Sequence, residues 1–210
     1  MKSLFIVGDS ISIQYGPYLK RLVSDRFLYD RKRGEEEALA DLDNPVGANG
    51  GDSGMVLDYL QMQREQEVRH DILLINCGLH DIKTDPLTGI KQVPLDRYRA
   101  NLEKIACIAR EIAQSFIWVR TTDAVEAIHN TGMSTVLRLH QDVIAYNAVA
   151  DEVMSAYRVP MIDLYTFTSS FGASAFCDHV HYTEEVRRLQ AAYMAGYLEA
   201  VVNMQSMRLQ

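Results

Sequence analysis

The chain is poor in cysteine, proline and tryptophan, with 3, 5 and 1 among its 210 residues. Cys77, Cys107 and Cys177 lack the paired spacing of a zinc site. Cys77 and Cys107 stand in apolar surroundings, so buried free thiols are expected rather than disulfides. Positive charge is not in excess. A formal net charge of −7 disfavours nucleic acid or an anionic membrane surface as the main partner. No apolar run approaches the ~20 residues of a membrane span. Met1-Lys2-Ser3 leads directly into an apolar run without a cleavage region, so no leader is expected and the cytoplasm is the expected location. Nothing in the sequence suggests a linker, a repeat or a low-complexity tail. One domain over residues 1–210 is the expectation.

What is present is an ordinary globular composition, 48% hydrophobic and 23% charged. A chain of this length can bury a full core without staples. Strand and helix signals alternate along it. Strands are predicted at 3–8, 71–78, 116–120 and 159–164. Helices are predicted at Tyr18 to Phe27 after a Gly16-Pro17 start, Met55 to Arg64, Pro94 to Gln114, Val136 to Tyr157, and Glu184 to Val202 with Thr183 as cap. Residues 31–50 are charged and rich in turn formers, and a further short strand there cannot be placed. The alternation implies α/β architecture: a parallel sheet with helices on both faces, a three-layer α/β/α sandwich.

Within this pattern, Ser10 is the most informative residue. Ser3-Leu4-Phe5-Ile6-Val7 reads as a buried strand, and Gly8-Asp9-Ser10 follows at its carboxyl end. Open α/β sheets place their ligands at that edge. Near the other end of the chain stands Asp178-His179-Val180-His181. A serine needs a base to take its proton, and a carboxylate helps fix that base's tautomer. Ser10, His181 and Asp178 have the residue types for nucleophile, base and orienter. Ser10 as a simple helix cap, with His181 capping or packing, is the plain alternative. Asn49-Gly50-Gly51-Asp52-Ser53-Gly54 could supply backbone N–H groups to a negative oxygen, or be only a flexible turn. Gly78-Leu79-His80-Asp81 follows a strand directly and reaches the same edge. Asp9 and Asp81 are expected to accept backbone N–H bonds from their own turns.

These four stretches, in this order, resemble the blocks of the SGNH (GDSL-type) hydrolases along nearly the whole chain. Gly8-Asp9-Ser10-Ile11 resembles the first block and implies Ser10 as nucleophile. Gly51-Asp52-Ser53 resembles the second and implies an oxyanion N–H from Gly51. Gly78-Leu79-His80-Asp81 aligns with the family's Gly-x-Asn-Asp, and Asp178 to His181 with its Asp-x-x-His. The resemblance implies a mostly parallel, five-stranded, flavodoxin-like sheet. It also implies an oxyanion hole of Ser10, Gly51 and the third-block residue. Here the sequence departs from the family: His80 stands in place of asparagine. A neutral imidazole can donate one N–H, and a protonated one would make activity pH-dependent near neutrality. Asn49 and Asn76 are nearby substitutes.

The expected activity is therefore a serine esterase removing a short acyl group, acetyl above all, from a carbohydrate or small metabolite ester. No cofactor or metal is expected, and the expected partner is the small ester alone. Three other readings remain open: a weakly active binding module, an acyltransferase using the same triad, and a metal-dependent hydrolase built on His179-Val180-His181. His129, in a loop expected over 123–135, and His179 are candidate substrate-facing residues. His70 and His140 read as helix-end or surface residues, and Arg120 as a partner in an internal salt bridge.

Overall fold

In a computed structural model, the protein is described over residues 1–126 and 135–207. The chain begins with β1 (Lys2–Val7), α1 (Ser10–Leu22), β2 (Phe27–Arg31) and the short α2 (Glu35–Ala40). Next come α3 (Ser53–Glu65), β3 (His70–Ile75), α4 (Leu95–Ile112) and β4 (Ala113–Val119). It closes with α5 (His140–Ala156), β5 (Met161–Ile162), α6 (Leu164–Ser169) and α7 (Glu184–Met207).

The five strands form one sheet in the order β2-β1-β3-β4-β5, and every pairing is parallel. The sheet is thus wholly parallel, where a mostly parallel one was expected. Leu4, Ile6 and Val7 of β1, Leu73 to Ile75 of β3, and Ile117 and Trp118 of β4 are buried. Strands covered on both faces read as continuous apolar runs, and that is why β1 and β3 stand out in the sequence. The path moves one way from β1 to β2 and the other way through β3, β4 and β5. Right-handed crossovers then place α1 on one face and α3, α4 and α5 on the other. The packing agrees: α1 meets α7, while α4 meets both α3 and α5. Because the path reverses beside β1, the carboxyl ends of β1 and β3 flank the crevice where such sheets bind ligands.

Two elements depart from expectation. α1 starts at Ser10, not at Gly16-Pro17, which lie inside it. Asp9 caps the helix by accepting the Ile11 N–H at 3.1 Å. Gly16 is tolerated there because the Tyr29 hydroxyl sits against it, 2.7 Å from where a Cβ would stand. The unplaced strand is β2, whose first residue Phe27 had been assigned to the preceding helix. β2 lies at the sheet edge and carries Tyr29, Asp30 and Arg31, so it lacks the apolar run of a central strand. Buried Arg31 makes sense once the fold is seen, since its guanidinium donates to Ser12 O at 2.9 Å and Ser12 Oγ at 3.1 Å. The short helices α2 and α6 had no clear periodicity and were not anticipated. Among the described residues no helix is long and apolar enough to cross a membrane.

Candidate active site

Ser10 is the first residue of α1, placed one turn beyond β1 by the Gly8-Asp9 corner. Asp178 and His181 lie 171 residues away in sequence for the serine–histidine pair, in the loop before α7. That loop is stitched to itself. Cys177 N–H donates to His181 O at 2.9 Å. Asp178 Oδ1 accepts the N–H groups of Val180 and His181 at 2.9 and 2.7 Å. The other oxygen, Asp178 Oδ2, lies 2.7 Å from His181 Nδ1. One carboxylate therefore fixes both the backbone and the ring of the histidine. His181 Nε2 in turn lies 2.8 Å from Ser10 Oγ. With Nδ1 donating to Asp178, Nε2 is the acceptor for the serine proton. Partial burial opposes a charge on Asp178, yet the hydrogen bonds from the His181 ring and from the Val180 and His181 N–H groups hold it well below the ordinary carboxylate range. It stays an acceptor at any neutral pH.

The three residues expected to face an oxyanion are less uniform. Ser10 N–H is at the start of a 13-residue helix, where unpaired N–H groups and the helix dipole favour negative charge. Gly51 adopts a left-handed backbone with φ +72°. Its N–H is already engaged, donating to Asn49 Oδ1 at 3.0 Å. His80 is buried. Burial, with help from the charges of Lys83 and Arg138, pushes its pKa down to about 3. His80 is thus neutral near pH 7 and has one N–H to give. Of the two forms left open by the sequence, the neutral ring is the one favoured, because desolvation disfavours the charged ring. Neither substitute asparagine is free for the role. Asn76 Nδ2 donates to Val119 O at 2.9 Å, tying β3 to β4. Asn49 Nδ2 reaches Leu42 O and Asn44 O at 3.3 and 3.4 Å.

The two acidic neighbours are structural, one of them also beyond its own turn. Asp9 caps α1, as expected of it. Asp81 accepts its own N–H, as expected of it, and both its oxygens also accept the Ser53 N–H, at 2.9 and 3.1 Å. It joins the turn after β3 to the start of α3, and Asn101 Nδ2 secures Ser53 Oγ at 2.9 Å. Burial pushes the Asp81 carboxyl up to about 8, against the bonds from Ser53.

His179 Nε2 lies 3.3 Å from Asp43 Oδ1, and its Nδ1 3.9 Å from Asp178 Oδ1. The His179 hydrogen bond, despite partial burial, holds Asp43 down to about 2. Asp43 of the charged segment therefore stands beside the Asp178–His181 loop, and Lys83 Nζ donates to Asp43 O at 3.0 Å. For the metal reading, His181 has both ring nitrogens committed to Asp178 and Ser10. Among the described residues no group of three or more His, Cys, Asp or Glu side chains is arranged to hold a metal ion. His129 lies outside the described residues. Of the 123–135 loop, residues 123–126 reach the site, with Val125 N–H donating to His179 O at 2.7 Å.

The remaining singled-out residues fall away from the triad. Arg120 pairs with Asp163 at 2.7 Å and Asp151 at 3.1 Å, the internal bridge expected of it. His140 opens α5 and pairs with Asp123 at 2.7 Å. His70 is not at a helix end but begins β3, stacked on Phe5 with ring centroids 4.4 Å apart. Cys77 is buried as expected, whereas Cys107 is exposed on α4 with its Sγ 3.7 Å from the Tyr157 hydroxyl. Arg138, Asp43 and Lys83 were missed. No motif marks them, and only the folded chain brings them to the triad.

No family model matches the sequence, and no curated protein is similar to it at a significant level. Solved structures do match. The lipase/acylhydrolase from Enterococcus faecalis superposes with a TM-score of 0.70 at 18% identity, covering 95% of this chain and 96% of that one. A GDSL-like lipase from Bacteroides thetaiotaomicron gives 0.66 at 14% identity, covering 97% and 89%. A carbohydrate acetylesterase from Sinorhizobium meliloti gives 0.64 at 12% identity, covering 96% and 100%. With its wholly parallel five-stranded sheet and helices on both faces, the chain has the fold of the SGNH, or GDSL-type, hydrolases.

Proposed function

We propose that the protein is a serine esterase that removes a short acyl group, most simply acetyl, from an ester. One observation carries the reading: the hydrogen-bonded chain from Ser10 through His181 to Asp178, at 2.8 and 2.7 Å, at the switch point of the sheet. Ser10 Oγ attacks the ester carbonyl as His181 Nε2 takes its proton, and Asp178 stabilises the imidazolium that forms. Ser10 N–H and the neutral His80 ring receive the developing oxyanion, and Gly51 N–H joins them when it leaves Asn49 Oδ1. The same histidine protonates the departing alcohol. Water, deprotonated by His181, then releases the acid from the acyl-enzyme. No cofactor enters these steps.

Acetylated carbohydrate is the substrate class that the similarity to the Sinorhizobium acetylesterase favours. Three free cysteines fit a reducing compartment, the cytoplasm. A second reading, a binding module with weak turnover, draws on one observation: the Gly51 N–H is occupied while histidine replaces the family's asparagine. The test is hydrolysis of p-nitrophenyl acetate and butyrate by wild type and Ser10→Ala. Turnover that disappears in the mutant supports the esterase. No turnover, together with no labelling of Ser10 by a fluorophosphonate, removes it and leaves the binding module.

A further inference from the structure

Arg138 lies in the stretch that leads into α5. A pair of antiparallel bonds docks this stretch on the turn after β3: Thr84 N–H donates to Leu137 O at 2.9 Å, and Leu137 N–H to Thr84 O at 2.8 Å. The next residue, Arg138, is only 3% exposed. Its Nε–H donates to Leu79 O at 2.9 Å. Leu79 is also buried and immediately precedes His80.

A buried carbonyl needs a donor, and a neutral amide would suffice. Taking a guanidinium out of water costs far more than burying an amide. The Arg138 charge is also felt across the site. It acts on the carboxylates of Asp9, Asp43 and Asp178 and on the ring of His80. Positive potential here opposes a proton on His80 and favours negative charge on the ester oxygen.

We infer that Arg138 is a positioning residue of the ester-cleaving site, fixing through the Leu79 carbonyl the turn that presents His80 to the substrate. The turn is short, closed by Ile82 N–H to Gly78 O at 3.0 Å and Lys83 N–H to His80 O at 3.3 Å. A rotation of the Leu79–His80 peptide is therefore passed directly to the His80 ring. The inference rests on the esterase reading above.

The experiment is a double-mutant cycle between Arg138 and His80, read as kcat and KM on p-nitrophenyl acetate, with Tm measured for each variant. Arg138→Met removes donor and charge together. It is expected to lower kcat roughly 10- to 100-fold with KM little changed, since small misplacements of a catalytic group cost that much. In a His80→Ala background the same substitution is expected to cost much less, because its effect passes through His80. Equal losses in both backgrounds, or an unchanged kcat in Arg138→Met, overturn the inference. Should Arg138→Met fail to fold, Arg138→Leu, which likewise removes donor and charge together, is put through the same cycle under the same two criteria. Wild-type turnover that vanishes in Ser10→Ala is read first. Its absence, with no fluorophosphonate labelling, overturns the esterase reading and this inference with it; turnover with additive losses overturns this inference alone.

Discussion

His181 Nε2 lies 2.8 Å from Ser10 Oγ, although 171 residues separate the two in sequence. The contact closes because both ends reach the same sheet edge, Ser10 from β1 and His181 from the loop ahead of α7. Ser10→Ala is expected to abolish ester hydrolysis while Tm stays near wild type, since the hydroxyl's one partner in this chain of bonds is the histidine. His181→Ala removes the base and is expected to cost several orders of magnitude in kcat. Steady-state kinetics beside thermal melts check both. Unchanged turnover in Ser10→Ala would exclude it as nucleophile.

His80 gives two expectations of different kinds. As an oxyanion donor, its replacement by alanine should lower kcat by ~10²–10³. His80→Asn, which restores a side-chain N–H donor, should retain activity at pH 7. The second concerns stability. Burial lowers the ring's pKa to about 3 in the folded protein, below the ordinary value of 6.5. The unfolded chain therefore binds the extra proton first. This contribution is fully present above pH 6.5 and is lost as pH falls towards 3. Denaturant titrations between those limits should show a shallower acid loss in His80→Asn than in wild type. Identical slopes would mean that the ring is not held neutral.

The legible part of this protein was what chemistry or periodicity marks locally. β1 and β3 are buried on both faces and announce themselves as apolar runs. Gly8-Asp9-Ser10 and Asp178 to His181 carry their reactive residue types within a few positions. β2 was hidden because an edge strand can hold Tyr29, Asp30 and Arg31 without losing its place in the sheet. The start of α1 was hidden because Gly16-Pro17 reads as a helix boundary, whereas both lie inside the helix, with the Tyr29 hydroxyl against Gly16. At the site, the two-oxygen hold of Asp81 on Ser53 spans 28 residues, and Arg138 reaches Leu79 across 59. Such partners are set by how the loops dock on the sheet edge, not by any local pattern.

Asp81 should leave a signature at neutral and alkaline pH. Burial raises its carboxyl from 3.8 to about 8 in the folded state. Between those values the folded protein holds the proton more tightly than the unfolded chain. Stability attributable to this group is thus present at low pH and declines as pH rises from about 4 to about 8. Asp81→Asn keeps a carbonyl oxygen for the Ser53 N–H and has no proton to lose. Its unfolding free energy should fall less steeply over that range than that of wild type. Parallel curves for the two proteins would show that Asp81 does not titrate there.

Gly51 tests whether the second block is held by its backbone conformation. With φ at +72°, an alanine at this position would adopt the left-handed region at a cost of about 1–3 kcal/mol. Its Cβ would also lie 2.9 Å from Pro45 Cβ and 2.5 Å from Met55 Sδ. Met55 is at the start of α3 and can swing aside, but Pro45 is a rigid ring on the segment that carries Asp43. Relief must then come from moving either residues 42–45 or Gly51 itself. Gly51→Ala is therefore expected to lower Tm by about 2–4 °C for each kcal/mol, and kcat with it. Gly51→Ser, with the same Cβ, should behave alike in Tm. A Gly51→Ala protein with wild-type Tm and kcat would mean that neither this turn nor its N–H constrains the site.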